Sequence, residues 1–121
     1  MSIESYKDLR VWQGAMELVV DIYRLTEVLP TKEQYGLTSQ MRKAAVSVPS
    51  NIAEGKSREH LKEYLHHLSI AQGSLGELDT QIEITCRLNY CQRAQAQPVF
   101  SRIDSIGKQL HALRASLASN G

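Results

Sequence analysis

Apolar side chains recur at steps of three and four residues through almost the whole chain, and no segment sustains the alternation of a half-buried strand. The sequence therefore predicts an all-α protein. Breaks in the pattern are short and few. A first helix is predicted from about Lys7 to Leu29, stopping at Pro30, with Leu9, Trp12, Met16, Val19 and Tyr23 as its core-facing stripe. A second runs from about Gln34 to Glu54 with the stripe Leu37, Met41, Ala44, Val48 and Ile52, and Gly55 is expected to stop it, since glycine takes the left-handed conformation cheaply. Ser57 is placed to cap a third helix reaching about Asn89, with Glu59 in its first turn suiting the positive end of the helix dipole. Its stripe is Tyr64, Leu68, Ala71, Leu75, Leu78 and Ile82. A fourth, from about Ala96 to Ala118, carries Val99, Ile103, Ile106, Leu110, Leu113 and Leu117, and Pro98 fits its first turn. Four long helices on short connections pack most simply as an up-down-up-down bundle, and residues 1–121 make one domain.

Within this pattern Met41–Gly55 stands apart, because it reads as a helix with Pro49 in its interior. A proline there removes one amide donor and presses its ring on the carbonyl of Ala45, at a cost of roughly 3 kcal/mol unless the surroundings compensate. That predicts a fixed, kinked helix, with Ser50, Asn51 and Glu54 able to satisfy freed backbone groups.

Two helices are apolar on more than one side. The first has a second seam of Val11, Leu18, Ile22, Leu25 and Leu29, and the third places Ile70, Ile84 and Leu88 nearly opposite Leu75. A helix apolar on two sides is normally buried on two sides, so Val11, Leu18, Ile22, Leu25, Ile70, Ile84 and Leu88 are expected to meet another subunit.

The chemistry that the sequence offers is sparse. Glu63-Tyr64-Leu65-His66 has the spacing of a di-metal helix ligand pair, but a second such pair is missing, since Lys108 stands three positions before His111. His60, Glu63 and His67 share one side of the third helix and read as solvated side chains, so no metal site is expected. No nucleophile elbow or phosphate-binding glycine loop occurs. Gly73 and Gly76 fall inside a helix, where they would permit close helix approach. No cofactor is implied, and the expectation is a protein that is not an enzyme. Cys86 and Cys91, five apart on a predicted helix, would point about 140° apart and not bridge.

A net charge of +1, from 14 basic and 13 acidic side chains, gives no global case for nucleic acid. The distribution is less even: Arg58–Cys91 holds three basic against five acidic residues, and the chain from Gln92 four against one, so the last two helices are expected to attract each other. Arg10, Arg42, Lys43, Lys56 and Arg58 form a candidate polyanion patch around the second helix, but a sparse one without interleaved aromatics to stack on single-stranded bases, so a solvated basic face is the competing reading. No run is long and apolar enough for a membrane span, and the start of the chain lacks a leader pattern, which makes a cytoplasmic location the expectation.

Three ordered blocks carry a family resemblance: Tyr6–Trp12, Tyr35–Arg42 continuing through Ala44–Gly55, and Ala71–Leu78. They resemble the bacterial four-helix-bundle family named after 23S rRNA intervening-sequence proteins. The resemblance implies a left-handed bundle assembling as a homopentameric ring, with Pro49, Ser50, Asn51, Glu54 and Gly55 as a structural motif. It also implies kinship with accessory proteins of diversity-generating retroelements, which bind a reverse transcriptase and nucleic acid. The functional expectation is an oligomeric adaptor whose partners are copies of itself and RNA, DNA or a nucleic-acid enzyme. The alternative is a purely structural protein–protein interaction module.

Overall fold

The computed structural model describes residues 5–120. Met1–Glu4, the start of the segment read as lacking a leader, and Gly121 lie outside the described residues. Four helices follow in order: α1 Arg10–Thr26, α2 Leu37–Lys56, α3 Leu61–Arg87 and α4 Arg93–Asn120. A 3-10 turn at Tyr6–Asp8 precedes α1 and another at Thr31–Glu33 joins α1 to α2. Among the described residues there is no strand, and none of these helices is long and apolar enough to cross a membrane.

Each helix packs on two neighbours, α1 and α3 both touching α2 and α4, so the four stand at the corners of a square. Cross-helix pairs show that neighbours run antiparallel. Arg42 meets Thr26 at one end of the α1–α2 pair, and Trp12 shares a groove with Ala53 at the other. Between α2 and α3, Met41 meets Thr85 and Gly55 meets Tyr64. The predicted stripes of α2, α3 and α4 supply the core: Met41, Ala44, Val48 and Ile52 face Leu68, Ala71, Leu75, Leu78 and Ile82, with Val99, Ile103, Ile106 and Leu110 closing the square.

The seam assignment on α1 is corrected. Val11, Ala15, Leu18, Ile22 and Leu25 fill the core, with Leu18 and Ile22 fully buried, so Val11, Leu18, Ile22 and Leu25 are not available to another subunit. Trp12, Met16, Val19 and Tyr23, expected inside, lie toward the outer α1–α2 edge, where Met16 and Tyr23 are exposed. The physical reason is steric and polar together. Ala15 is fully buried, and beside it Gly14 presents no side chain to Ile106 of α4, while tryptophan and tyrosine suit an edge where one end is apolar and the other wet.

The helix stops also differ from expectation. Gly55 is inside α2, and no glycine among the described residues has positive φ. It is small because α3 crosses there: a Cβ would lie 2.9 Å from His67 Cβ and 3.0 Å from Tyr64 Cδ1. Ser57 ends α2 rather than capping α3, its hydroxyl donating to the Ala53 carbonyl at 2.9 Å, and α3 starts after His60 with Glu63 in its first turn. Cys91 lies beyond the end of α3, not on it. Asn89, at φ 60°, turns the chain, and the two free, buried thiols come to rest with sulfurs 3.8 Å apart. Loss of hydration and the neighbouring Cys86 push the Cys91 thiol up to about 11. The helix α4 begins at Arg93, so Pro98 sits in its second turn. Gln92 N–H donates to Gln95 Oε1 at 2.9 Å in place of a proline start. Gly73 and Gly76 have open space around their Cβ positions, so they permit no close approach within the monomer.

Among the described residues the one ion pair between the last two helices is at their junction, where Arg93 of α4 binds Glu83 of α3, a carboxylate that Arg87 on α3 itself also binds. Arg102 instead bridges α4 to α1, its Nε donating to Asp21 at 2.7 Å and its Nη1 to Glu17 at 2.6 Å.

Candidate nucleic-acid and assembly surface

Antiparallel packing of α1 on α2 leaves a long outer face. Its middle is an apolar groove lined by Tyr6, Trp12, Met16, Val19, Val46 and Pro49. Met16 is 42%, Val20 47% and Val46 41% exposed, although the core beneath them is complete. Pro49 is buried, and α2 runs through it without interruption. The motif residues around it do other work than expected. Asn51 Nδ2 donates to the Ser47 carbonyl at 2.9 Å and to Ser47 Oγ at 3.0 Å, while Asn51 Oδ1 lies 3.0 Å from His67 Nδ1. Ser74 Oγ donates to Ser47 Oγ at 2.8 Å, which makes a polar strap between α2 and α3. Ser50 is exposed and Glu54 pairs with Arg58, so among the described residues none of the three binds the Ala45 carbonyl that Pro49 leaves without its helical donor.

At the α2 N-terminal end, the groove opens into a pocket of about 610 Å³ lined by Tyr23, Tyr35, Arg42, Lys43 and their polar neighbours Gln34, Thr38, Ser39 and Ser47. Arg42 is held from three directions. Its guanidinium carbon lies 4.5 Å over the Tyr23 ring, its Nε donates to Thr26 Oγ1 at 2.9 Å, and its Nη2 reaches the Tyr23 carbonyl at 3.5 Å. Thr26 is itself buried and fixed by donating to the Ile22 carbonyl at 2.7 Å. The start of α2 is fixed too: Glu33 accepts the Leu37 amide at 3.3 Å and the Tyr90 hydroxyl at 2.9 Å, which ties this end to the α3–α4 junction.

The five basic residues picked from the sequence do not gather into one patch. Arg42 and Lys43 sit at this pocket. Lys56, the last residue of α2, and Arg58 just beyond it lie at the far end, about 20 Å away at 1.5 Å per helical residue. Arg10, exposed at the start of α1, belongs to that far end because the two helices are antiparallel. Arg58 is engaged by Glu54 and shares a pocket with Lys62, Glu63, His66 and His67, so positive charge there is mixed with negative. Among the described residues no group of three or more His, Cys, Asp or Glu side chains gathers to hold a metal. Of the residues expected at a subunit interface, Ile70, Ile84 and Leu88 are exposed on the outer side of α3, as their spacing implied. Sequence reasoning placed Tyr23 in the core stripe of the first helix and Tyr35 in a resemblance block, and gave neither a part in a site. Tyr35 stands beside Gly36 in the break before α2, but only the docking of α1 brings Tyr23 under Arg42.

These features define an all-α, antiparallel four-helix bundle with one outer face that is apolar along its middle and basic at one end. The chain belongs to the family of the 23S rRNA-intervening sequence protein, whose model matches residues 7–112. A crystal structure from Bacteroides thetaiotaomicron VPI-5482, of a protein with unknown function from the S23 ribosomal protein family, has the same fold. It superposes with a TM-score of 0.79 at 24% identity, covering 86% of this chain and 97% of the other. No functionally curated protein matches the chain significantly.

Proposed function

We propose that this protein is a non-enzymatic, self-associating bundle that acts in the cytoplasm as an adaptor on RNA or DNA or on an enzyme that works on them. One observation carries the reading. The α1–α2 outer face leaves Met16, Val20 and Val46 exposed over a finished core and runs directly into the pocket of Arg42 and Lys43. An exposed apolar strip of this kind marks an interaction surface. Assembly through it, with the Ile70, Ile84 and Leu88 side of α3 as a further contact, would form a closed ring of identical subunits, and the ring we favour is a pentamer. Repetition of the basic pocket around such a ring would give a chain of net charge +1 a local attraction for phosphates that its total charge does not.

Retention of single-stranded RNA by the assembled protein near physiological salt tests the reading. Binding should fall steeply as salt rises, because phosphate contacts release counterions. No retention at concentrations where the assembly is intact would remove the nucleic-acid limb. The exposed Ile70, Ile84 and Leu88 side favours one alternative, a purely structural module for a protein partner. Partners that survive high salt and are lost on Ile84→Glu would support that alternative.

A further inference from the structure

We propose that the pocket between the α1 C-terminal half and the start of α2 holds one unit of a single-stranded nucleic acid, with a base stacked on Tyr35 and its phosphodiester between Arg42 and Lys43. This rests on the nucleic-acid reading above and names the site and the strand form.

Three observations point to that ligand. The first is charge. Arg42 and Lys43 line the pocket and no carboxylate does. Among the described residues neither makes an ion pair, so no side-chain acid competes with a guest anion for them. A pair of cations left without acids in a nearly neutral chain favours an anionic guest.

The second is preorganisation. The partners of Arg42 are neutral: a buried threonine hydroxyl, a backbone carbonyl and the face of Tyr23. They fix the plane of the guanidinium and leave its charge uncompensated and Nη1 without a partner among the described residues. A phosphate arriving there meets a donor already in place, so little rotamer freedom remains to be lost.

The third is the aromatic rim. Tyr35 is 91% exposed, so its ring packs on almost nothing in the monomer. It shares the pocket with Tyr23, and the pocket's volume of about 610 Å³ is roomy enough for a base and its sugar-phosphate. Inorganic phosphate, or the backbone of a duplex, would have no use for an open ring. An unstacked base would, and base–aromatic stacking combined with cations along the backbone is the way single strands are held.

Anisotropy of a short fluorescein-labelled oligouridylate, titrated with the full chain, tests the proposal. Tyr35→Ala, a change at an exposed residue that leaves the fold alone, should weaken binding about tenfold. Arg42→Gln and Lys43→Gln should each weaken it and reduce the slope of log affinity against log salt by roughly 0.7. Lys108→Gln, on the exposed side of α4, should change neither the slope nor the affinity at this pocket. Inorganic phosphate should compete poorly, and a duplex of matching length should bind more weakly than the single strand. Wild-type binding with Tyr35→Ala and Arg42→Gln indistinguishable from it would overturn the pocket and leave the nucleic-acid reading standing. Preference for duplex, or equal competition by phosphate alone, would overturn the stacked-base assignment. No binding by the wild type would remove the reading and the pocket together.

Discussion

Helix α1 carries two apolar seams of the same period, and they have opposite fates. The inner one, Val11, Ala15, Leu18, Ile22 and Leu25, disappears into the core. The outer one, Trp12, Met16, Val19 and Tyr23 with Val20 beside it, lies along the edge with α2, and three of its members remain exposed. Hydrophobicity does not distinguish them. The inner seam is built of aliphatic residues with a buried alanine at its centre, which lets neighbouring helices come close. The outer seam carries the tryptophan and the tyrosine, amphipathic rings that sit well at a boundary. One seam makes the monomer and the other is left for something else, a division that helical periodicity alone cannot reveal.

The largest effect should separate the seams directly. Leu18→Ala removes methyl groups from a fully buried site and should cost roughly 2–5 kcal/mol of unfolding free energy. Met16→Ala on the outer seam should cost less than about 0.5 kcal/mol when urea unfolding is measured on dissociated monomer. Equal costs would mean that the two seams are not divided in this way.

A somewhat smaller effect would come from the α2–α3 side, which is closed along its length. Gly55→Ala puts a methyl group 3.2 Å from the Tyr64 carbonyl, as well as against the Tyr64 and His67 side chains, and a helix pair must shift to admit it. The expected loss is about 1–3 kcal/mol by thermal or urea unfolding. A neutral or stabilising result, as for an ordinary helical glycine, would show that α2 and α3 are not locked at this point.

The smallest effect lies on the solvent side of the α3–α4 junction. Hydrogen bonds from Arg93 and then Arg87 hold the Glu83 carboxyl down at about 2, below its ordinary 4.5. A carboxylate whose folded pKa is depressed stabilises the fold above its unfolded value, and that contribution is lost as pH falls from 4.5 toward 2. The site is open to solvent, so the effect should be slight and screened by salt. Comparison of acid melting curves for wild type and Glu83→Gln should show the variant with a shallower decline across that window.

The sequence made the helices legible because the period of apolar residues is a local property, and the core stripes of α2, α3 and α4 follow from it. The ends of the helices were harder. Gly55 and Ser57 are each plausible stops by local chemistry, yet the crossing of α3 over Gly55 and the hydroxyl bond from Ser57 to Ala53 decide their roles. Cys91 escaped for a similar reason, since a single left-handed residue, Asn89, returns it to Cys86. At the candidate site, Arg42 and Lys43 were recognisable as cations beside a motif. Their separation from Lys56 and Arg58 follows from helix length, but the partnership with Tyr23 and Thr26 depends on how α1 docks, sixteen and more positions away in sequence.

We propose that the outer seam joins subunits while the inner seam completes each one. Molar mass by light scattering, on wild type and Met16→Glu, tests it most directly. The expected result is a wild-type particle close to five times 13.6 kDa, and a Met16→Glu protein that remains helical and runs at 13.6 kDa. A wild-type protein that stays at 13.6 kDa at high concentration, or a Met16→Glu particle of unchanged mass, would contradict it.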